Sequence, residues 1–444
     1  MTAFHWTTVA VWAAAATGAS AQDATKIEAL EKRIAELEAK QPKDAAGKDA
    51  GGGDMKWNDF SLGGSRFQIY GFLRTDAYYD DSRPNSVTLP SFIKSEDQTA
   101  PAGFRAPVNE NDFTISAKLT RFGINFTGPK ISGLGDPALT GKLETDFYNA
   151  AVTDSREALR IRVAYLQMHW DGFNFYAGQM WDVIAPIFPV VNPDNVMWNT
   201  GNLGDRRPQL RGEWIGGGES TKFNVQGMVG NTGAIDGQDL DPAGGTGSGY
   251  KDGDQAGVPT FQGRAAIITP VSDWKKNLEF GAWAHRAKEQ TDTVSAAANA
   301  THFNSSAYGV DLQVPLFRDQ VWFRGELWTG RNLGDVRGGI LQDINVNGEE
   351  VRSQGGWAEV GTKVPGLEHV EASVGYSFDN PNNDDLINNA TTASRTCNTV
   401  WYGALRFNYK PISFGIDYLR WTTRYLGFSD GTDNRFQAFI SYAF

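Results

Sequence analysis

The sequence predicts an all-β fold, a transmembrane antiparallel β-barrel of about sixteen strands with a short coiled-coil helix before it, and three observations predict it. Segments that alternate apolar and polar side chains recur from Arg66 to the end of the chain. The connections between them alternate in length, seven short and eight long. The composition, 50 Gly in 444 residues and 12% aromatic, suits one large β architecture better than two or three soluble domains.

Residues 1–21 read as a signal peptide. The apolar run Val9 to Ala16 is shorter than the ~20 residues a spanning helix needs, and Ala19-Ser20-Ala21 gives a small-x-small cleavage pattern, so the mature chain is expected to start near Gln22. The segment before the run holds His5 but no Lys or Arg, a departure from the usual pattern.

Residues 22–41 carry a coiled-coil pattern. Ile27, Leu30, Ile34 and Leu37 are spaced 3, 4, 3, and Glu28 with Lys32 and Glu36 with Lys40 form favourable i,i+4 pairs. Two heptads are marginal alone, so the helix should form only where copies meet. Ile at a with Leu at d leans towards a dimer, whereas Arg33 to Glu38 resembles the short trimerisation motif in which Arg33 and Glu38 bridge neighbouring helices. A closed homotrimer is the expected state because it matches a barrel assembly. Residues 42–65 follow as a linker, with Pro42 stopping the helix and Gly-rich polar sequence denying it a core.

From 66 to 444 the period changes to two. Phe67, Ile69, Gly71 and Leu73 face away from Gln68, Arg74 and Asp76. Leu159, Ile161 and Val163 face away from Arg160 and Arg162, and Val321, Phe323 and Leu327 from Arg324 and Glu326. Ile412 to Tyr418 and Phe436 to Phe444 close the series. Such strands suit a wall with lipid on one side and water on the other. Short connections such as Asp171-Gly172 and Lys410-Pro411 would lie at one end, and long polar ones such as Asp80 to Asn111 and Asn332 to Arg352 at the other. Eighteen strands is the alternative count.

The aromatic end at Phe444 resembles bacterial outer-membrane barrels, which implies a partner in the barrel-assembly machinery. Tyr70-Gly71-Phe72, Gly141 to Phe147, Leu159 to Tyr165 and Gly178-Gln179-Met180-Trp181, together with the order signal peptide, coiled coil, linker and barrel, resemble the DcaP-like trimeric outer-membrane porins. That resemblance implies a channel in outer-membrane lipid with the coiled coil in the periplasm.

In a pore the polar register does the work. Arg74, Lys118, Arg121, Lys142, Arg160 and Arg162 are expected on the lumen side, joined later by Arg264, Arg324 and Arg406. Guanidinium groups keep their charge and match carboxylate or phosphate, so a basic wall points to small hydrophilic anions such as dicarboxylates, passing by diffusion. The alternative is that these cations only pair with neighbouring carboxylates. The third long connection, Asp182 to Arg206, holds Ile184, Pro186, Ile187, Phe188, Val190, Val191 and Trp198, a poor choice for a water-exposed loop. It is expected to fold inward as a constriction, with Asp182, Asp194 and Asp205 facing the basic wall, or else to pack at a subunit interface. Arg206, Arg207 and Arg211 are the expected solute contacts.

No cofactor or metal site is expected. Asp239, Asp241, Asp252 and Asp254 could offer oxygen ligands to Ca²⁺, but their spacing matches no known loop. Cys397 stands alone, and a net charge of -11 argues against nucleic acid. Two other classes compete: an anchor or adhesin barrel without selective transport, and a barrel hydrolase, which His169, His285, His302 and His369 support with no recognisable motif.

Overall fold

The computed structural model describes residues 58–108, 111–148, 158–191, 196–232, 253, 256–271, 277–290, 302–318 and 320–444. The expected signal peptide, the coiled-coil positions Ile27, Leu30, Arg33, Ile34, Leu37 and Glu38, the four aspartates of the polar loop and Asp194 lie outside the described residues.

Alternating segments become strands throughout: β1 (Asp59–Leu62), β2 (Ser65–Asp80), β3 (Asp112–Ser116), β4 (Arg121–Thr127), β5 (Ala138–Asp146), β6 (Arg160–Trp170), β7 (Phe173–Trp181), β8 (Arg206–Gly217) and β9 (Lys222–Gly230). The second half continues with β10 (Thr260–Thr269), β11 (Leu278–Gln290), β12 (His302–Leu316), β13 (Val321–Arg331), β14 (Arg352–Lys363), β15 (Val370–Pro381), β16 (Arg395–Tyr409), β17 (Ile412–Tyr425) and β18 (Gly431–Ala443). Successive strands pair antiparallel, and β18 closes on β2 with Phe436 opposite Tyr79 and Tyr442 opposite Leu73. β3 and β4 both pair with β2 and are two pieces of one wall strand, broken at 117–120. With β1 only a short hairpin partner of β2, the wall has sixteen strands, and the alternative of eighteen falls away.

β1 lies within the span expected to be linker. β18 covers β2 only from Asp80 down to Phe72, and β1 covers Gln68 to Ser65 below it. Between them Gly71 and Phe444 exchange main-chain hydrogen bonds of 3.2 and 3.0 Å, and the Ile69 N–H donates to the Asn58 carbonyl at 2.7 Å. The edge of β2 is therefore paired along its length, as a closed wall requires.

The wall is apolar outside and ionic inside. Leu73, Ile161, Tyr308, Val374, Trp401 and Ile440 are exposed, while Arg74, Asp76, Asp311, Glu326, Asp417 and Gln437 are buried. That inversion of the soluble pattern calls for hydrocarbon around the barrel. Val163 departs from the expected register. A bulge places Arg162 and Val163 together opposite Glu144, while Ile161 pairs with Thr145, so Val163 turns inward and is 6% exposed. Gln179, opposite on β7, donates to the Ile161 and Arg162 carbonyls at 2.8 and 3.3 Å, a side chain serving carbonyls beyond the end of the β6–β7 ladder.

Part of the lumen is filled. Ile184, Ala185 and Leu203 of the third long connection pack with Leu333 and Val336 of the sixth against Trp283, Ala307 and Trp328 on the inner face of β11–β13. Val191 and Met197 join Ile93 of the first connection against Val400, Tyr402, Leu419 and Trp421 on β16 and β17. The inward course of the third connection matches its apolar sequence. The first and sixth connections were expected as polar surface loops and instead also enter the barrel.

Candidate functional site

These loops leave the inner face of β4–β8 as the ionic wall. Tyr70, Arg121, Lys142, Glu144, Asp146, Arg160 and Arg162 meet there because their strands are consecutive and each presents its polar register inward. Glu144 is the hub: it accepts from the Tyr70 hydroxyl at 2.8 Å and Arg162 at 3.0 Å, with Arg121 at 3.3 Å and Lys142 at 3.6 Å. Asp146 takes Arg160 at 2.7 Å and Arg162 at 2.6 Å. Arg206 reaches Asp205 at 3.1 Å and lies over the Trp181 ring. Arg211 bonds the Gln209 side chain and the Trp181 carbonyl and faces the Tyr176 ring at 5.9 Å.

Six cations, Arg121, Lys142, Arg160, Arg162, Arg206 and Arg211, thus stand with three carboxylates, Glu144, Asp146 and Asp205. A fourth, Glu213, lies below Arg211 and is already held by four neutral donors, Asn174, Tyr176, Asn224 and Gln226. The wall keeps an excess of positive charge, and its aromatic partners Tyr70, Tyr148 and Tyr176 hold Lys142, Arg160 and Arg211 without neutralising them. Lys142 and Arg160 remain 32% and 28% exposed, so both can meet a solute.

Other expected contacts sit elsewhere. Arg207 is fully buried between Asp182 at 2.6 Å and Asp335 at 2.5 Å, so it locks the third and sixth connections together and does not face the channel. Asp182 is spent on that lock and does not oppose the basic wall. Asp205 answers Arg206 and Arg337, the latter at 2.9 Å. Burial acts to raise the Asp205 carboxyl, but the Arg337 and Arg206 guanidiniums outweigh it and hold the group below its ordinary range. Lys118 lies in the break between β3 and β4, off the strand where it was expected. Arg74 pairs with Asp76 at 2.6 Å over the Phe439 ring. Arg324 pairs with Glu359 at 2.7 Å on the far wall, where Glu359 also accepts from the Val190 N–H of the third connection. Arg264 is likewise taken by Asp311 and Glu279, and Arg406 by Asp417.

The third connection is tied across the lumen by hydrogen bonds to the far wall. Trp328 Nε1 donates to the Gly201 carbonyl at 2.6 Å, and Arg406 donates to the Val190 carbonyl at 2.6 Å. Gly201 has φ +127, and a Cβ there would stand 2.2 Å from the Gly356 carbonyl, so only glycine lets the loop approach β14 this closely. Tyr70, Tyr165 and Tyr176, which complete the wall, were missed from sequence. Their position on the inward register next to Lys142 and Arg211 was the signal that could have found them.

By sequence, no family model and no curated relative matches the chain. By structure, it is similar to the outer membrane channel DcaP of Acinetobacter baumannii, with a TM-score of 0.63 at 17% identity over 86% of this chain and 99% of that one. It is also similar to the anion-selective porin from Comamonas acidovorans, with a TM-score of 0.52 at 9% identity over 86% of this chain and 100% of that one. A third similar structure is the high-pH form of Pseudomonas putida OprB, with a TM-score of 0.50 at 10% identity over 85% and 94%. The fold of this chain is the sixteen-stranded porin barrel with an inward third loop.

Proposed function

We propose that this protein is an outer-membrane porin through which small hydrophilic solutes diffuse, with a preference for anions of the dicarboxylate kind. The excess of guanidinium and ammonium groups on β4–β8, on the side of the lumen left by the packed loops, carries the reading. A solute would pass along that wall, giving up part of its hydration to Arg160 and Lys142 while Tyr176 and Tyr165 offer a flat apolar contact. No energy source is involved, so flux follows the gradient. One structural relative is an anion-selective porin, which agrees with the charge of the wall. Assembly as a trimer, with 22–41 as a periplasmic coiled coil, belongs to the same proposal, as does delivery by the barrel-assembly machinery through Phe444.

The test is the reversal potential of single channels in a planar bilayer under a salt gradient. It should have the sign of anion preference. A potential of the opposite sign would remove the selectivity claim, and absence of any conductance would turn the reading towards an anchor barrel.

A further inference from the structure

Below the basic wall, towards the short turns, the inner face of β5–β9 carries a second polar cluster built around Glu213. One oxygen of Glu213 takes the side-chain amides of Asn224 at 2.7 Å and Gln226 at 2.9 Å. The other takes that of Asn174 at 2.8 Å and the Tyr176 hydroxyl at 2.9 Å. Glu213 makes no ion pair among the described residues, so neutral donors alone fill its lone pairs.

A carboxylate only accepts, and that fixes the orientation of every group behind it. Asn174 turns its Nδ2 to Glu213, so its Oδ1 faces back and accepts from Gln167 Nε2 at 3.1 Å and from His169 Nδ1 at 2.6 Å. Gln167 in turn presents its Oε1 to the Thr140 hydroxyl, which donates at 3.2 Å. The chain therefore runs one way, from Thr140 through Gln167 and Asn174 to Glu213, and aligned hydrogen bonds reinforce one another. What it leaves open to the lumen is acceptors. These are the lone pairs of Thr140 Oγ1, the Nε2 of the exposed His169 ring, whose neutral form carries its proton on Nδ1, and Gln226 Oε1, whose nitrogen is held by Glu213.

An acceptor surface offers nothing to a bare carboxylate and a hydrogen bond to every hydroxyl. Lys142 is two residues from Thr140 on β5, hence about 7 Å up the wall, and the Tyr165 and Tyr176 rings, 5.9 Å apart, flank the interval. We propose, resting on the anion-pore reading above, that the channel prefers dicarboxylates carrying hydroxyls along their carbon chain, the aldarate class. Lys142 and Arg160 take one carboxylate, and the acceptors of Thr140, His169 and Gln226 take hydroxyls about 7 Å further towards the short turns. Glu213 acts as a positioning residue, because its demand for donors turns the amide chain. A diacid of the same length without hydroxyls meets only lone pairs and a negative charge there.

The probes are D-glucarate and adipate, dianions of equal chain length that differ in the hydroxyls. Their dissociation constants are measured by saturation-transfer NMR with the full-length protein in detergent, a readout that needs no conductance. The parent should bind glucarate roughly tenfold more tightly than adipate, the worth of about two net hydrogen bonds. Thr140→Val, which removes one acceptor and keeps the shape, should cut that ratio by roughly threefold. Glu213→Gln supplies an amide that can donate, so the chain loses its direction and the ratio should fall to about one, with adipate bound no more weakly than by the parent. Equal affinities in the parent would overturn the proposal, as would an unchanged ratio in both variants, whether or not both solutes weaken together. An E213Q barrel that does not assemble leaves T140V to decide. The reversal potential tests the pore reading separately: cation preference with glucarate still favoured removes that reading and keeps the site, whereas anion preference with equal affinities does the reverse.

Discussion

Replacing Arg207 by methionine tests how far its buried ionic lock holds the third and sixth connections together, beside the second pair of Asp205 with Arg337. The guanidinium is fully buried and bonds both oxygens of Asp182, Asp335 at 2.5 Å, the Asp335 carbonyl at 2.8 Å and the Asn231 carbonyl at 2.9 Å. Removing one partner of such a buried set leaves two carboxylates without their cation, which costs about 3–5 kcal/mol. At about 1.4 kcal/mol per factor of ten, the docked state loses two to nearly four powers of ten in population. The barrel ladder is untouched, so the wall should survive while the loops come loose. Single-channel recordings of R207M should show larger and noisier conductance steps, and limited proteolysis should cut within 182–205 or 332–351. The triple variant D182N/R207M/D335N, which removes charges on both sides, should recover much of the quiet behaviour. Recordings of R207M indistinguishable from the parent would refute the lock.

Four further outcomes follow from the same geometry. R160Q/R162Q should lower the anion permeability by roughly tenfold, since each charge contributes about 0.7 kcal/mol at ~6 Å in water; an unchanged reversal potential would reduce both residues to wall pairing. E144Q should raise the anion permeability by roughly threefold on the same arithmetic, read in the same bilayer. Gly201→Ala, which drives a Cβ against the Gly356 carbonyl, should loosen the third connection and raise its protease sensitivity without unfolding the barrel. Burial lifts the Asp343 carboxyl of the sixth connection to about 7, against the Gly334 N–H and Arg395. The docked loop therefore keeps a proton that a released carboxyl gives up near pH 4, and docking weakens by up to about 1.4 kcal/mol per pH unit as pH rises from about 4 to 7. Protease protection of 332–351 should accordingly be greater at pH 5 than at pH 8.

Much of the wall was legible because lipid and water enforce strict alternation: Phe67 to Arg74 and Ile412 to Tyr418 could be assigned to faces from residue type alone. The third connection was legible because its apolar residues are clustered. Ile93, Val336 and Ile340 were not, since they lie in mostly polar connections and only the folded barrel shows the three separate clusters they enter. Arg207 was misread for a related reason. Its partner Asp335 is 128 residues away, and no local pattern distinguishes a sealed guanidinium from one that meets solute. Val163 was misplaced because alternation cannot reveal a strand that carries one residue more than its neighbour.

That surplus residue is Arg162. The strand on either side of it keeps phase whether or not it is there: Ile161 stays against lipid and Val163 stays within. A codon lost at this position would shorten β6 and subtract one cation from the wall while leaving every greasy contact where it was, whereas a codon lost in β6 away from the Arg162–Val163 bulge would turn part of the strand inside out. Here the wall's charge is adjustable by length, which on the proposed pore function is a route to altered permeability that substitution scans do not sample.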